Sequence, residues 1–152
     1  MRQILSALAI MIGTSAVADG HTPIQIDDPI VFKSFEKARA AGGYMTILNT
    51  GEENDLLIGI EIKNRMSMIH ESREEDGVMR MLHVDAVEVP AGDTVEFKPG
   101  GFHVMIMGLQ PGELPVGDQI EATLSLDRAG EVQVVFEVVD KAVLGSGEKL
   151  TN

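Results

Sequence analysis

Met66-Ser67-Met68-Ile69-His70-Glu71-Ser72-Arg73-Glu74-Glu75-Asp76-Gly77-Val78-Met79-Arg80-Met81-Leu82-His83-Val84 holds two runs of alternating chemistry around a charged turn. Every second side chain of a β-strand points the same way. Met66, Met68 and His70 therefore share one face of a strand, and Met79, Met81 and His83 share one face of the next. A third run, His103-Val104-Met105-Ile106-Met107, repeats the pattern. Between Met66 and Met107 lie six of the nine methionines and three of the four histidines, so soft donors are concentrated in one region.

Working outward, the chain reads as β from Gly43 onward. The spacing predicts strands over 44–49, 56–62, 66–72, 78–84, 94–97, 103–109, 119–126 and 132–139, with 23–31 extended before them. Asn49-Thr50-Gly51, Asp76-Gly77, Ala91-Gly92-Asp93, Pro99-Gly100-Gly101 and Ala129-Gly130 supply the turns. Many short strands with turns every 8–15 residues define an all-β Greek-key sandwich or barrel. One domain, 19–152, is expected, with 141–152 as a small polar tail that frays.

Two hairpins are expected in the methionine-rich region. If the first turns through Arg73–Gly77 with its centre near Glu75 and Asp76, His70 falls opposite Met81 and Met68 opposite His83. Opposed Cβ atoms lie about 4.5–5.5 Å apart, within reach of one ion. The second turns at Lys98-Pro99-Gly100-Gly101, where Pro then Gly fits a type II turn. His103 and Met105 follow it on one strand face.

The first residues resemble an export leader: Arg2, an apolar run over 4–12, and Ala16-Val17-Ala18 as a small-x-small cleavage site. Residues 1–18 are then a signal peptide cleaved after Ala18, and the mature protein is periplasmic without membrane insertion, since the run is short for a span. Twelve Lys and Arg against 24 Asp and Glu leave a net charge of −12. That excess opposes binding to nucleic acid. Cysteine is absent, which excludes disulfides, a thiolate nucleophile and a blue-copper site, whose defining ligand is a Cys.

Thioether sulfur selects Cu(I), and imidazole suits copper as well. Cleavage after Ala18 would also leave Asp19-Gly20-His21 at the terminus. There an amine, two amide nitrogens and an imidazole make a square-planar set suited to Cu(II).

At this point the residues resemble a known family. His70, ten residues, Met81, twenty-one residues, His103, one residue and Met105 are similar to the spacing of periplasmic copper chaperones of the PCuAC (DUF461) type. Gly77-Val78-Met79-Arg80-Met81 and Pro99-Gly100-Gly101-Phe102-His103-Val104-Met105-Ile106-Met107-Gly108-Leu109 resemble its two signature stretches. The resemblance runs from about Pro29 to Val139. It implies a cupredoxin-like fold without the cupredoxin cysteine, and one Cu(I) held by His70, Met81, His103 and Met105. It implies a non-enzymatic carrier that exchanges copper with periplasmic proteins, such as the cytochrome oxidase copper centre during its assembly or a thioredoxin-like copper protein. Glu71 and Ser72 stand where relatives often carry methionine, and the tail lacks His and Met, so auxiliary sites built on those features are not expected.

Each residue also has a plainer reading. Met66 and Met68 fit core or rim packing, and Met79 and Met107 a hydrophobic collar. His83 is either an auxiliary ligand one pleat from Met81 or a surface histidine. The whole chain, read plainly, is an exported β-sandwich binding or scaffold module.

Overall fold

The computed structural model describes residues 22–33 and 37–140. The leader, its cleavage point, Asp19-Gly20-His21 and the tail from 141 onward lie outside the described residues.

Ten strands form one sheet: β1 (Ile24–Phe32), β2 (Ala40–Asn49), β3 (Asp55–Ile62), β4 (Met66–Glu75), β5 (Val78–His83), β6 (Val87–Val89), β7 (Thr94–Phe97), β8 (Phe102–Met107), β9 (Gln119–Leu126) and β10 (Gly130–Val139). No helix occurs among the described residues. The strand order is β5-β4-β8-β7-β2-β1-β10-β9-β3-β6. Parallel pairing of β1 with β10 joins its two halves.

Strands β3 and β4 are far apart in that order, yet they are consecutive in the chain. A bridge between Ile62 and Arg65 joins them, and Ser67 Oγ donates to the Ile60 carbonyl at 2.8 Å. The sheet therefore rolls over onto itself. The expected all-β, cupredoxin-like architecture holds.

Rolling is driven by one apolar face. Along β2 burial alternates residue by residue, and Ala41, Met45 and Ile47 point inward. They meet Leu57 and Ile62 of β3, Val104 and Ile106 of β8, Leu124 of β9, and Phe136 and Val138 of β10. Full burial of each such aliphatic or aromatic side chain contributes about 1.5–3 kcal/mol. Two buried polar side chains are fully used. Asn49 donates from Nδ2 to the Glu53 and Val89 carbonyls and accepts from Gly51 N–H. Asp55 accepts from the backbone N–H of Leu56, Arg128 and Ala129.

Two local features differ from the sequence expectation. β6 is a strand of three residues, too short to show a period, held by burial of Val87 and Val89 against β3. The turn at Lys98–Gly101 closes as a type II turn: Gly101 N–H donates to the Lys98 carbonyl at 3.0 Å and Gly100 has φ +82°. It does not make a hairpin. β7 and β8 both pair antiparallel with β2, one after the other, and run in the same direction. The Pro-Gly-Gly segment is an excursion inside one long edge of β2, because β2 has enough length to pair with both.

Candidate metal centre

The site face lies on the side of β4, β5 and β8 away from the core. On β4 and β8, Ile69, Val104 and Ile106 fill the core. Their neighbours in the chain, Met68, His70, His103, Met105 and Met107, point the other way, as the two-residue period requires. The expected sharing of faces is thus realised.

The register is not the expected one. The hairpin turns on Asp76-Gly77 alone, with φ +54° and +77°. Positive φ at both central residues is the type I′ geometry that suits a twisted antiparallel pair. Glu75 then pairs with Val78, His70 with His83, and Ser72 with Met81. His70 therefore lies opposite His83, not Met81, and Met68 is not opposite His83. A two-residue slip leaves every side chain on its original face, so the partners change while the donor-bearing surface survives.

On its other side β4 pairs with β8: His70 opposite His103, Met68 opposite Met105, and Met66 opposite Met107. The three imidazoles form one row across three strands. Ring centroids are 5.7 Å apart for His70–His83 and 5.9 Å for His70–His103. Met81 and Met105 each sit one pleat from His70, on opposite sides of the row. Ser72 lies directly opposite Met81, and its N–H donates to the Gly101 carbonyl at 3.0 Å. Its small side chain leaves room for the thioether to swing toward the row.

Exposure falls from β5 to β8. Met81 is 52% exposed and His103 is 5% exposed, with His70 between them. His103 Nδ1 lies 3.1 Å from the Gly101 carbonyl. A carbonyl only accepts, so Nδ1 carries a hydrogen, and in the neutral ring Nε2 is the nitrogen with the lone pair. That Nε2, like His70 Nδ1, is buried without a hydrogen-bond partner. Burial holds the His70 imidazole below its usual range, and the facing His103 and His83 rings push the same way. All three effects favour the neutral, donor form. His83 differs. Its Nε2 is 3.2 Å from Asp85 Oδ1, and both side chains are largely in solvent.

Among the described residues no three His, Asp or Glu side chains converge on a common point. A site built on His70 and His103 must complete its shell with sulfur, and methionines surround the pair. Tyr44, not anticipated from the sequence, borders this face. Tyr44 follows Gly43, which pairs with Val104, the residue after His103. Its hydroxyl folds back over Gly42, where an added Cβ would lie only 2.8 Å from Oη. The Gly42–Gly43 pair just before Tyr44 was the available signal.

The fold and site define a cupredoxin-like domain with an imidazole–thioether face and no thiolate. The chain belongs to the family described as "Putative lipoprotein LpqE-like", whose profile matches residues 24–138. It is 29% identical over 141 residues to "Putative lipoprotein Lxx21020" of Leifsonia xyli subsp. xyli, covering 90% of this chain and 82% of that protein. Among solved structures it resembles the copper-bound PCuAC domain from PmoF2, with a TM-score of 0.63, 29% identity, and 77% of this chain and 92% of that one covered. The Cu(I) form of DR1885 from Deinococcus radiodurans matches with a TM-score of 0.56 and 25% identity, covering 83% of this chain and 84% of that one. The PCuAC resemblance read from the motifs holds.

Proposed function

We propose that this protein is an exported, non-enzymatic copper carrier that takes one Cu(I) as cargo on His70, Met81, His103 and Met105. The observation that carries the reading is the pair His70 Nδ1 and His103 Nε2, two buried nitrogens left without hydrogen-bond partners at the same register of adjacent strands. A buried polar atom without a partner costs about 1–3 kcal/mol. A bound soft cation would relieve that cost in both residues at once. The copper-bound forms of similar PCuAC domains support the same cargo, and the lipoprotein descriptions of the family and its relative support export.

His70 and His103 would anchor the ion and the exposed Met81 would release it first, since a partner's ligand can reach β5 before β8. Neutral thioethers and imidazoles add no negative charge that would trap harder dications. The recipients consistent with this chemistry are copper proteins of the same compartment, including the cytochrome oxidase copper centre during assembly or a thioredoxin-like copper protein. The Asp19-Gly20-His21 terminus, after cleavage at Ala18, would add a Cu(II) site, and its test is N-terminal mass analysis followed by Cu(II) titration of His21→Ala. His83, directly opposite His70, would be an auxiliary donor only by leaving its contact with Asp85.

Anaerobic Cu(I) titration against a competing chelator tests the carrier. Loss of one tight equivalent in His70→Ala and His103→Ala, and its weakening in Met81→Leu and Met105→Leu, is expected. Uptake unchanged by all four substitutions would overturn this ligand set, and no stoichiometric uptake by the wild type would leave only a scaffold module.

A further inference from the structure

The anchors of the proposed carrier leave three methionines of the same face unused: Met66, Met68 and Met107. Met66 lies directly opposite Met107, and Met68 sits one pleat along β4, opposite Met105. They do not build the core, which Ile69 and Ile106 fill from the reverse face. Met66 is 58% exposed, and Met68 and Met107 are half-buried. Single exposed apolar residues are ordinary, but these are paired in register across two strands.

The neighbouring strand places small residues beside them. β2 presents Ala40 beside Met107 and Gly42 beside Met105. Opposed Cβ atoms are about 4.5–5.5 Å apart and diagonal ones about 7–8 Å. The unbranched methionine side chain, with three rotatable bonds, can draw its sulfur inward over such distances. Leucine would cover this face equally well for packing; only methionine adds a donor. Met66 lies four positions before His70 on β4, about 13 Å along a strand. An ion between Met66 and Met107 is therefore not the ion between His70 and His103.

We propose that Met66, Met68 and Met107 form a second, all-thioether site for one soft monovalent cation, Cu(I) or Ag(I). This goes beyond the carrier reading, because it uses none of the four residues assigned there. Three neutral sulfurs with no imidazole select monovalent soft ions and ignore protons, so this site fills independently of pH. Met105 lies between the two sites and would offer a step from one to the other.

The test is anaerobic Cu(I) titration with a competing chelator, together with Ag(I) titration followed by NMR of 13C-methyl methionine. Two equivalents per chain are expected, with the Met66, Met68 and Met107 methyl signals shifting on Ag(I) addition. Met66→Leu/Met107→Leu, a volume-conserving change at accessible positions, should reduce two equivalents to one. His70→Ala/His103→Ala should keep the methionine-bound equivalent. A single equivalent in the wild type, abolished by the histidine variant and indifferent to the leucine variant, overturns the second site and leaves the carrier standing. A single equivalent lost only in the leucine variant does the reverse. Two equivalents retained in Met66→Leu/Met68→Leu/Met107→Leu also overturn it.

Discussion

His70 on β4 faces His103 on β8 across one register position, with ring centroids 5.9 Å apart and one buried, unpartnered nitrogen on each ring. Such a pair is poorly suited to stabilising an empty domain. His70→Leu should therefore raise apoprotein stability by about 1 kcal/mol, since it removes a buried polar atom that lacks a partner. Thermal melting of the copper-free protein checks this, alongside loss of the histidine-bound Cu(I) equivalent in the same variant. Removing His103 as a ligand should weaken Cu(I) binding by more than about 100-fold, the upper end of what losing an outer-shell partner costs.

The depressed His70 pKa sets a pH dependence of stability. In the unfolded chain a histidine takes a proton near pH 6.5. In the fold His70 resists protonation to lower pH, because burial and the facing imidazoles disfavour its charge. Below about pH 6.5 the unfolded state binds more protons, so stability falls as pH drops through that window. Chemical denaturation of the apoprotein between pH 7.5 and 5.5 should show the loss, and His70→Leu should flatten it. By the same sign, proton competition with Cu(I) at His70 begins below pH 6.5 rather than at it.

Asp55 shifts in the same direction, in a more acidic window. Burial alone would raise its carboxyl, but the backbone N–H groups of Arg128, Ala129 and Leu56 and the Arg128 charge outweigh that and hold it below the usual carboxylate range. Its contribution is complete above the unfolded value near 3.9 and is lost as pH falls through the lower folded value. Asp55→Ala should cost roughly 2–4 kcal/mol, because it strands backbone donors at the β9–β10 turn. Denaturant midpoints at neutral pH measure it, and the variant should lose less than wild type on further acidification.

Gly77 at φ +77° pins the hairpin register. No atom would crowd an added Cβ there, so the penalty of Gly77→Ala is backbone strain alone, about 1 kcal/mol. Because β5 is exposed throughout and among the described residues pairs only with β4, that strain should loosen β5 without moving the global melting temperature. Faster amide exchange over 78–83 and weaker Cu(I) binding are the expected readouts.

Tyr44 is the single tyrosine, and the chain has no tryptophan. Burial raises its phenol pKa above 10, so its ultraviolet titration should have a midpoint above that value in the folded protein. Its ring lies over Gly42, which pairs with Met105, so its emission is a local probe of this face. Cu(I) addition should change it in wild type and leave it unchanged in His70→Ala/His103→Ala.

Much of this was legible in the residue order. Alternation along 66–70, 79–83 and 103–107 assigned the donor faces, because side-chain parity is a property of the extended backbone and survives any even slip. The strands 94–97 and 119–126 match their expected bounds for the same reason, with turn residues fencing a short β-prone run. β6 escaped notice because three residues carry no period. His83 was placed one pleat off, since the charged run 73–77 reads as a five-residue loop until Asp76 is seen to accept positive φ.

Chain order alone could say which side chains share a face, since that follows from local stereochemistry. Which of them meet depends on strand pairing, which joins residues tens of positions apart through turn geometry and the burial of a common core. The meeting of His70 with His103 and His83, the stranding of two imidazole nitrogens away from water, and the approach of Tyr44 were therefore decided only when the sheet rolled up.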